Sequence, residues 1–285
     1  MQVVQNKYMY CRGGFVEQIS LYPLKKQNIK LFDPDICSQF FNLLLPSKLL
    51  SQALFCVAFK VNGKMQQHFI HSYEDLEIVL QTKQSGANSY CDCYITPNTF
   101  FVPVRQYRYL HRLNYLFIDI DNHNETVDKH TINGLLEHLQ EDYFGSKIPM
   151  PTIIVGTGRG LQLYFKIKPL SYNNKTIKFW KKIEQGLIDI MSSLDFNGFV
   201  TDKKVNDATR LLRLPGSYNI NSKTYAEILY QSDTEYTLTE ISQGYVFGGT
   251  TTGQKYKKYK GNKHTTVVGK GRYRGTTNSS SFNEK

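Results

Sequence analysis

The chain has 285 residues, 40% of them hydrophobic, and a formal charge of +11. That much apolar material supports one large domain or two small ones around a real core, which excludes a wholly disordered or fibrous protein. Apolar stretches such as LLLPSKLLSQALFCVAF are broken by Pro46, Lys48, Ser51 and Gln52, and no basic run followed by an apolar one opens the chain, so a soluble cytoplasmic protein without membrane contact is expected.

In chain order, residues 54–61 (LFCVAFKV) and 90–95 (YCDCYI) read as strands, with a helix between them at 72–84 that begins on Ser72 as N-cap. Cys91 and Cys93 lie two apart on the second strand and supply half a metal site at best. With Cys11, Cys37 and Cys56 they lack paired C-x-x-C spacing, so all five cysteines read as free thiols. A strand follows over 115–121 (YLFIDID), then a helix over 131–144 in which Ile132, Leu135, Leu136 and Leu139 share a face. Residues 152–168 read as a hairpin whose glycine-rich turn holds Gly156, Gly158 and Gly160. Its second strand alternates, with Leu161, Leu163, Phe165 and Ile167 on one face and Gln162, Tyr164, Lys166 and Lys168 on the other. The longest helix spans about 175–194, and Trp180 lies inside its apolar stripe, as a core anchor does. A strand-like run FNGFVTD ends at Asp202, and a strand over 226–231 (AEILYQ) and a last short helix complete residues 1–247. Strands alternating with helices in this way predict a mixed, α+β core.

The remaining segment, 248–285, carries nine Lys and Arg against one Glu, a net of +8, which leaves +3 for the first 247 residues. It is rich in Gly, Thr and Ser and poor in aliphatic residues, so it cannot bury enough apolar surface to offset ordering and is expected to be disordered. Its tyrosines alternate with Lys255, Lys257, Lys258, Lys260, Lys263, Lys270, Arg272 and Arg274, a pattern suited to phosphate backbones and unpaired bases.

The chemistry concentrates in three segments. Asp119 and Asp121 are two apart on a strand, so both carboxylates point to one face. Two like charges there repel, and each raises the other's pKa unless a cation intervenes; a hard divalent ion is the usual solution. The turn GTGRG places Arg159 where backbone amides can approach an anion, and Gln162 follows on the polar face of the next strand. The segment TDKKVNDATRLLRLPGSYN adds Asp202, with Asp207 as the alternative third carboxylate, and Arg210 and Arg213. These arginines suit phosphate, or ion pairs with acidic neighbours.

The three motifs in this order resemble the archaeo-eukaryotic primase (AEP) superfamily, in its plasmid and phage primase and primase-polymerase branch, over residues of about 90–230 that include YITPNTF. The resemblance implies an RRM-like antiparallel-sheet catalytic core, about 111–247, with flanking helices and an N-terminal α/β unit, about 1–110. It implies that Asp119, Asp121 and Asp202 hold Mg²⁺ or Mn²⁺ and that Arg213, helped by Arg210, contacts a nucleoside triphosphate. One departure stands out: Gly160 and Gln162 occupy the places of a serine and a histidine, so triphosphate binding would lean on Arg159 and the turn's amides. The function implied is primase or primase-polymerase, copying single-stranded DNA from NTPs or dNTPs in plasmid or mobile-element replication. No P-loop motif occurs, so a helicase would act in trans. A non-catalytic single-strand-binding protein on the same sheet, and a metal-dependent nuclease or replication initiator, are the competing classes.

Overall fold

The computed structural model describes residues 30–45, 53–85, 91–122 and 127–247; the basic segment 248–285, with the disorder and DNA contacts expected of it, and Cys11 lie outside them. Helix α1 (Pro34–Leu44) starts on a proline and is capped by Asp33, whose carboxylate accepts from the Asp35 and Ile36 amides. Strands β1 (Phe55–Val61) and β2 (Lys64–Ile70) form a hairpin turned by Asn62 and Gly63, both in left-handed backbone with φ of 50° and 77°. Next come α2 (Tyr73–Ser85), β3 (Asp92–Ile95), β4 (Thr99–Phe100) and the longest strand, β5 (Leu110–Asn122). Helix α3 (Lys129–Asp142), the hairpin β6 (Ile153–Gly156) and β7 (Gly160–Ser171), α4 (Asn174–Met191) and β8 (Phe199–Thr201) follow. The described chain ends with β9 (Leu212–Arg213), β10 (Tyr218–Asn219), β11 (Thr224–Tyr225), β12 (Glu227–Gln231), α5 (Leu238–Ile241) and a π turn over Ser242–Val246.

The strands build two main antiparallel sheets, so the fold is α+β as expected. One has the order β2-β1-β3-β9; the other runs β12-β6-β7-β5-β4, with β8 paired to β5, and β10 and β11 pair with each other. β9, late in the chain, joins the first sheet through β3, and one continuous buried core runs through both sheets. Cys37, Cys56, Cys91 and Cys93 are buried and free, and burial pushes the Cys37 and Cys56 thiols up to about 12, so all four behave as small apolar residues. No helix among the described residues is long and apolar enough to cross a membrane.

Strand β5 positions the site, and the way its edge is satisfied explains several buried polar groups. It pairs with β7 along one edge, while the other meets β4 only at Leu110 and Arg112 and β8 only from Ile120 onward. The buried backbone between those points needs other partners. Asn98 Oδ1 accepts from the amides of Asn114 and Tyr115 at 2.7 and 3.1 Å, and the Trp180 indole donates to the Tyr115 carbonyl at 2.9 Å. Both oxygens of Glu184 lie 3.2 Å from the Phe117 amide. Burial holds the Glu184 carboxyl well above the usual carboxylate range, and the hydrogen bond from the Phe117 amide opposes that rise. Trp180 is thus the core anchor its spacing predicts, with a hydrogen bond added. On β7, the face expected to be polar is buried at Gln162 and Tyr164, where α1 sets Phe40 edge-on to the Tyr164 ring at 5.5 Å, and reaches solvent only towards Lys168.

Candidate active site

Alternation along β5 buries Ile118 and Ile120 in the core and turns Asp119 and Asp121 to the opposite face, about 7 Å apart along the strand. In the β5–β7 register Asp119 stands opposite Gln162, and Asp121 opposite Gly160. Only glycine fits there: a Cβ on Gly160 would stand 1.9 Å from the Ile120 carbonyl oxygen, so its absence lets the two backbones close beside Asp121. β8 pairs with β5 across Ile120–Asn122, and the residue that follows, Asp202, donates its amide to the Asp119 carbonyl at 2.9 Å. Asp207 takes no such place. Its carboxylate accepts from the Thr209 amide and hydroxyl, both at 2.8 Å, and from Tyr107.

The three carboxylates sit in unequal environments. Burial pushes the Asp119 carboxyl up to about 6; Arg210 opposes the rise, Asp121 and Asp202 add to it, and a hydrogen bond from the Gln162 amide opposes it. Gln162 is only 4% exposed, and its Oε1 accepts from the Tyr164 hydroxyl at 3.3 Å, which leaves its amide to donate to Asp119. Gln162 therefore orients a carboxylate from beneath and does not face solvent. Asp202 is held by Arg210 at 2.6 Å and by the Lys204 amide at 2.8 Å. Arg159 lies 3.8 Å from Asp121 and donates to the Asn122 carbonyl at 2.8 Å. Its turn is anchored by Asn219, whose side-chain amide donates to the Thr157 carbonyl at 2.8 Å, and by Gly158 at φ +88°.

Arg213 sits one sheet over, on β9, in an ion pair of 3.0 Å with Asp92, and its guanidinium lies 5.2 Å from the Tyr94 ring. Burial raises the pKa of the Tyr94 hydroxyl, with Arg213 opposing and Asp92 and Asp119 reinforcing, so Tyr94 links this pair to the aspartates. Asp119, Asp121, Asp202, Arg159, Gly160, Gln162 and Arg210 thus converge, while Arg213 stands at the border of the group, committed to Asp92. Asp92, Tyr94 and Tyr164 were not expected. Their side chains are placed by pairing between distant strands, and no spacing signals it. Among the described residues no three His, Cys, Asp or Glu side chains gather as a ready metal site; Asp202 pairs with Arg210, and Asp121 lies beside Arg159.

No family model matches the chain. A curated replication protein of Clostridium perfringens is 35% identical over 153 residues, 54% of this chain and 35% of that protein, so the chain spans about a third of its relative's length. Among solved structures, the AEP domain of the cyanophage S-2L primase-polymerase superposes with a TM-score of 0.51 at 16% identity, over 75% of this chain and 98% of that domain. The catalytic domain of primase RepB', in complex with initiator DNA, superposes with a TM-score of 0.44 at 12% identity, over 74% of this chain and 94% of that one. The fold of the chain is that of an AEP domain.

Proposed function

We propose that this AEP-fold chain is the catalytic part of a replication primase or primase-polymerase, which transfers nucleotidyl groups from NTPs or dNTPs onto a strand copied from single-stranded DNA. The observation that carries the reading is the strand pairing that brings Asp119, Asp121 and Asp202 to the β5–β8 junction, near enough for Asp121 and Asp202 to raise the Asp119 carboxyl, with Arg159 and Arg210 beside them. The AEP fold and the identity with a replication protein over half the chain support it. In this reading a replicative helicase acts in trans.

The donor set fits Mg²⁺ or Mn²⁺: it offers hard carboxylate oxygens and no sulfur or imidazole, and Asp119 is a carboxylate whose charge burial makes costly without a cation. Asp119, Asp121 and Asp202 would hold the ion. When bound, a divalent ion favours the ionised form of an attacking 3′-hydroxyl and offsets charge on the leaving pyrophosphate. The chain's own residues do the rest. Gln162, fixed by Tyr164, keeps the Asp119 carboxylate aimed outward. Arg159 and Arg210, with side chains 27% and 31% exposed, lie beside Asp121 and Asp202, which are 35% and 29% exposed, so both guanidinium groups are open to phosphate oxygens in a forked pair. Arg213, held by Asp92, sets the position of the Tyr94 ring at the edge of the group.

A second reading, a non-catalytic single-strand-binding module, is favoured by the ion pairs that occupy Asp202 and Arg213. Incorporation of labelled nucleotide on single-stranded DNA with Mg²⁺ or Mn²⁺ separates the two. Wild type is expected to make product, and Asp119→Asn combined with Asp121→Asn to lose it by about a thousandfold or more, since the metal carries most of the charge stabilisation. No product from wild type with either ion, or equal product from the double variant, would leave only the binding reading.

A further inference from the structure

The exposed side of α4 forms one wall of a surface groove of about 690 Å³, and the π turn with Phe247 forms the other. Three lysines, Lys178, Lys181 and Lys182, line it against the single acid Asp189. An exposed aromatic stands at its rim: Phe247 is 46% exposed, with Lys182 Nζ 4.6 Å from its ring centre. The wall is held close, because a Cβ on Gly186 would meet Val246 Cγ1 at 2.1 Å; the absence of a side chain on α4 there lets the turn dock and fixes where Phe247 stands. The groove is also joined to the aspartates. Asn206 donates to the Lys181 carbonyl at 3.3 Å and to Gln185 Oε1 at 2.9 Å, which pins the 202–207 loop onto α4, and that loop carries Lys203 and Lys204, both exposed, directly after Asp202.

The geometry points to this groove as a track for single-stranded nucleic acid, with the lysines on the phosphate backbone and a base stacked on Phe247. An unpaired strand fits better than a duplex, because an aromatic face rewards a base only when that base is free to stack. An acidic partner of any kind would meet the lysines; an unpaired strand adds a base for the ring at each step of its backbone.

The choice of partner rests on the primase reading, and the test is read without nucleotide or divalent ion so that the two fail separately. The full 285-residue chain is titrated into fluorescent oligo(dT) across a salt series, beside Lys178→Glu with Lys182→Glu, and beside Phe247→Ala. Both lysines are exposed, and thermal melting checks that each variant keeps its fold. The double reversal is expected to weaken binding about tenfold near physiological salt and to lower the slope of log affinity on log salt by about 1.4, two lost phosphate contacts at about 0.7 each. Phe247→Ala is expected to weaken oligo(dT) about fivefold or more while leaving polyglutamate binding unchanged. On wild type, a 5-bromodeoxyuridine oligonucleotide is expected to crosslink to the peptide that holds Phe247. Unchanged affinity and slope in the folded double reversal, crosslinks confined to 248–285, or an equal loss of polyglutamate binding in Phe247→Ala would each overturn the inference. If labelled-nucleotide incorporation fails while these results hold, the primase reading falls and the track stands.

Discussion

Replacing Asp119 by asparagine removes a buried charge while keeping its shape, and the structure gives the sign and size of the effect. Burial moves the Asp119 carboxyl from its ordinary 3.8 to about 6. The folded chain therefore holds a proton that the unfolded chain releases between those two values. The stability this contributes is fully present below about pH 4 and is lost as pH rises through 6. At 1.36 kcal/mol per pH unit the loss levels off at about 3 kcal/mol above pH 6. Asparagine titrates nowhere in this window and can still accept the Gln162 hydrogen bond. Urea unfolding in the presence of a chelator is therefore expected to show Asp119→Asn within about 1 kcal/mol of wild type at pH 4 and more stable by up to about 3 kcal/mol at pH 7.5. Added Mn²⁺ should narrow the gap, because binding to the folded state stabilises wild type by about 2.7 kcal/mol at a hundredfold excess over Kd and the variant by less. A variant less stable than wild type at pH 7.5, or a difference that does not move between pH 4 and pH 7.5, would refute the claim that this carboxylate is held at a cost.

Three other substitutions probe the surrounding frame. Arg210→Gln removes the guanidinium that restrains Asp119, so the Asp119 carboxyl should titrate above 6, and the acid limb of any activity–pH profile should move to higher pH; an unmoved limb would contradict this. Gly160→Ala forces a Cβ against the Ile120 carbonyl and is expected to cost about 3 kcal/mol or more in chemical denaturation, far beyond the effect of Gly→Ala at an unhindered site. At Glu184, where burial makes the charged form costly, glutamine should cost less than about 1 kcal/mol and alanine about 2–4 kcal/mol, since alanine leaves the Phe117 amide unpaired beside a cavity. Equal losses from glutamine and alanine would show that the charge itself matters.

What could be read ahead of the structure depended on how strongly each segment's side chains repeat. β5, β7, α3 and α4 bury one face or both, and their apolar periods, Trp180 included, survive in the fold. β2 was missed because five of its residues, Lys64 to His68, are polar or exposed, although the Asn62-Gly63 pair is the left-handed dipeptide that a tight hairpin needs. α1 was missed because Pro34 and the apolar run to Leu45 break any simple pattern; its capping by Asp33 is the local cue. The placement of Asp119 and Asp121 on one face, and of Asp202 at a strand end, was legible because a two-residue period and the end of an apolar run set both. The role of Gln162 was not, because the face it shares with Tyr164 is polar in composition and becomes buried only when α1 docks from the far end of the chain. Likewise the sequence leaves Arg213 open to phosphate or to an ion pair, and only the pairing of β9 with β3 shows it against Asp92.

The most direct measurement of the proposed activity is the template dependence of incorporation. Wild-type chain is given homopolymeric oligo(dT) or oligo(dC) as the only template, Mn²⁺, and one labelled nucleotide at a time, with Asp119→Asn plus Asp121→Asn alongside. The account predicts that adenine nucleotides enter product on oligo(dT), guanine nucleotides on oligo(dC), and neither in the double variant. Incorporation that ignores the template, or no incorporation from any template, would contradict it.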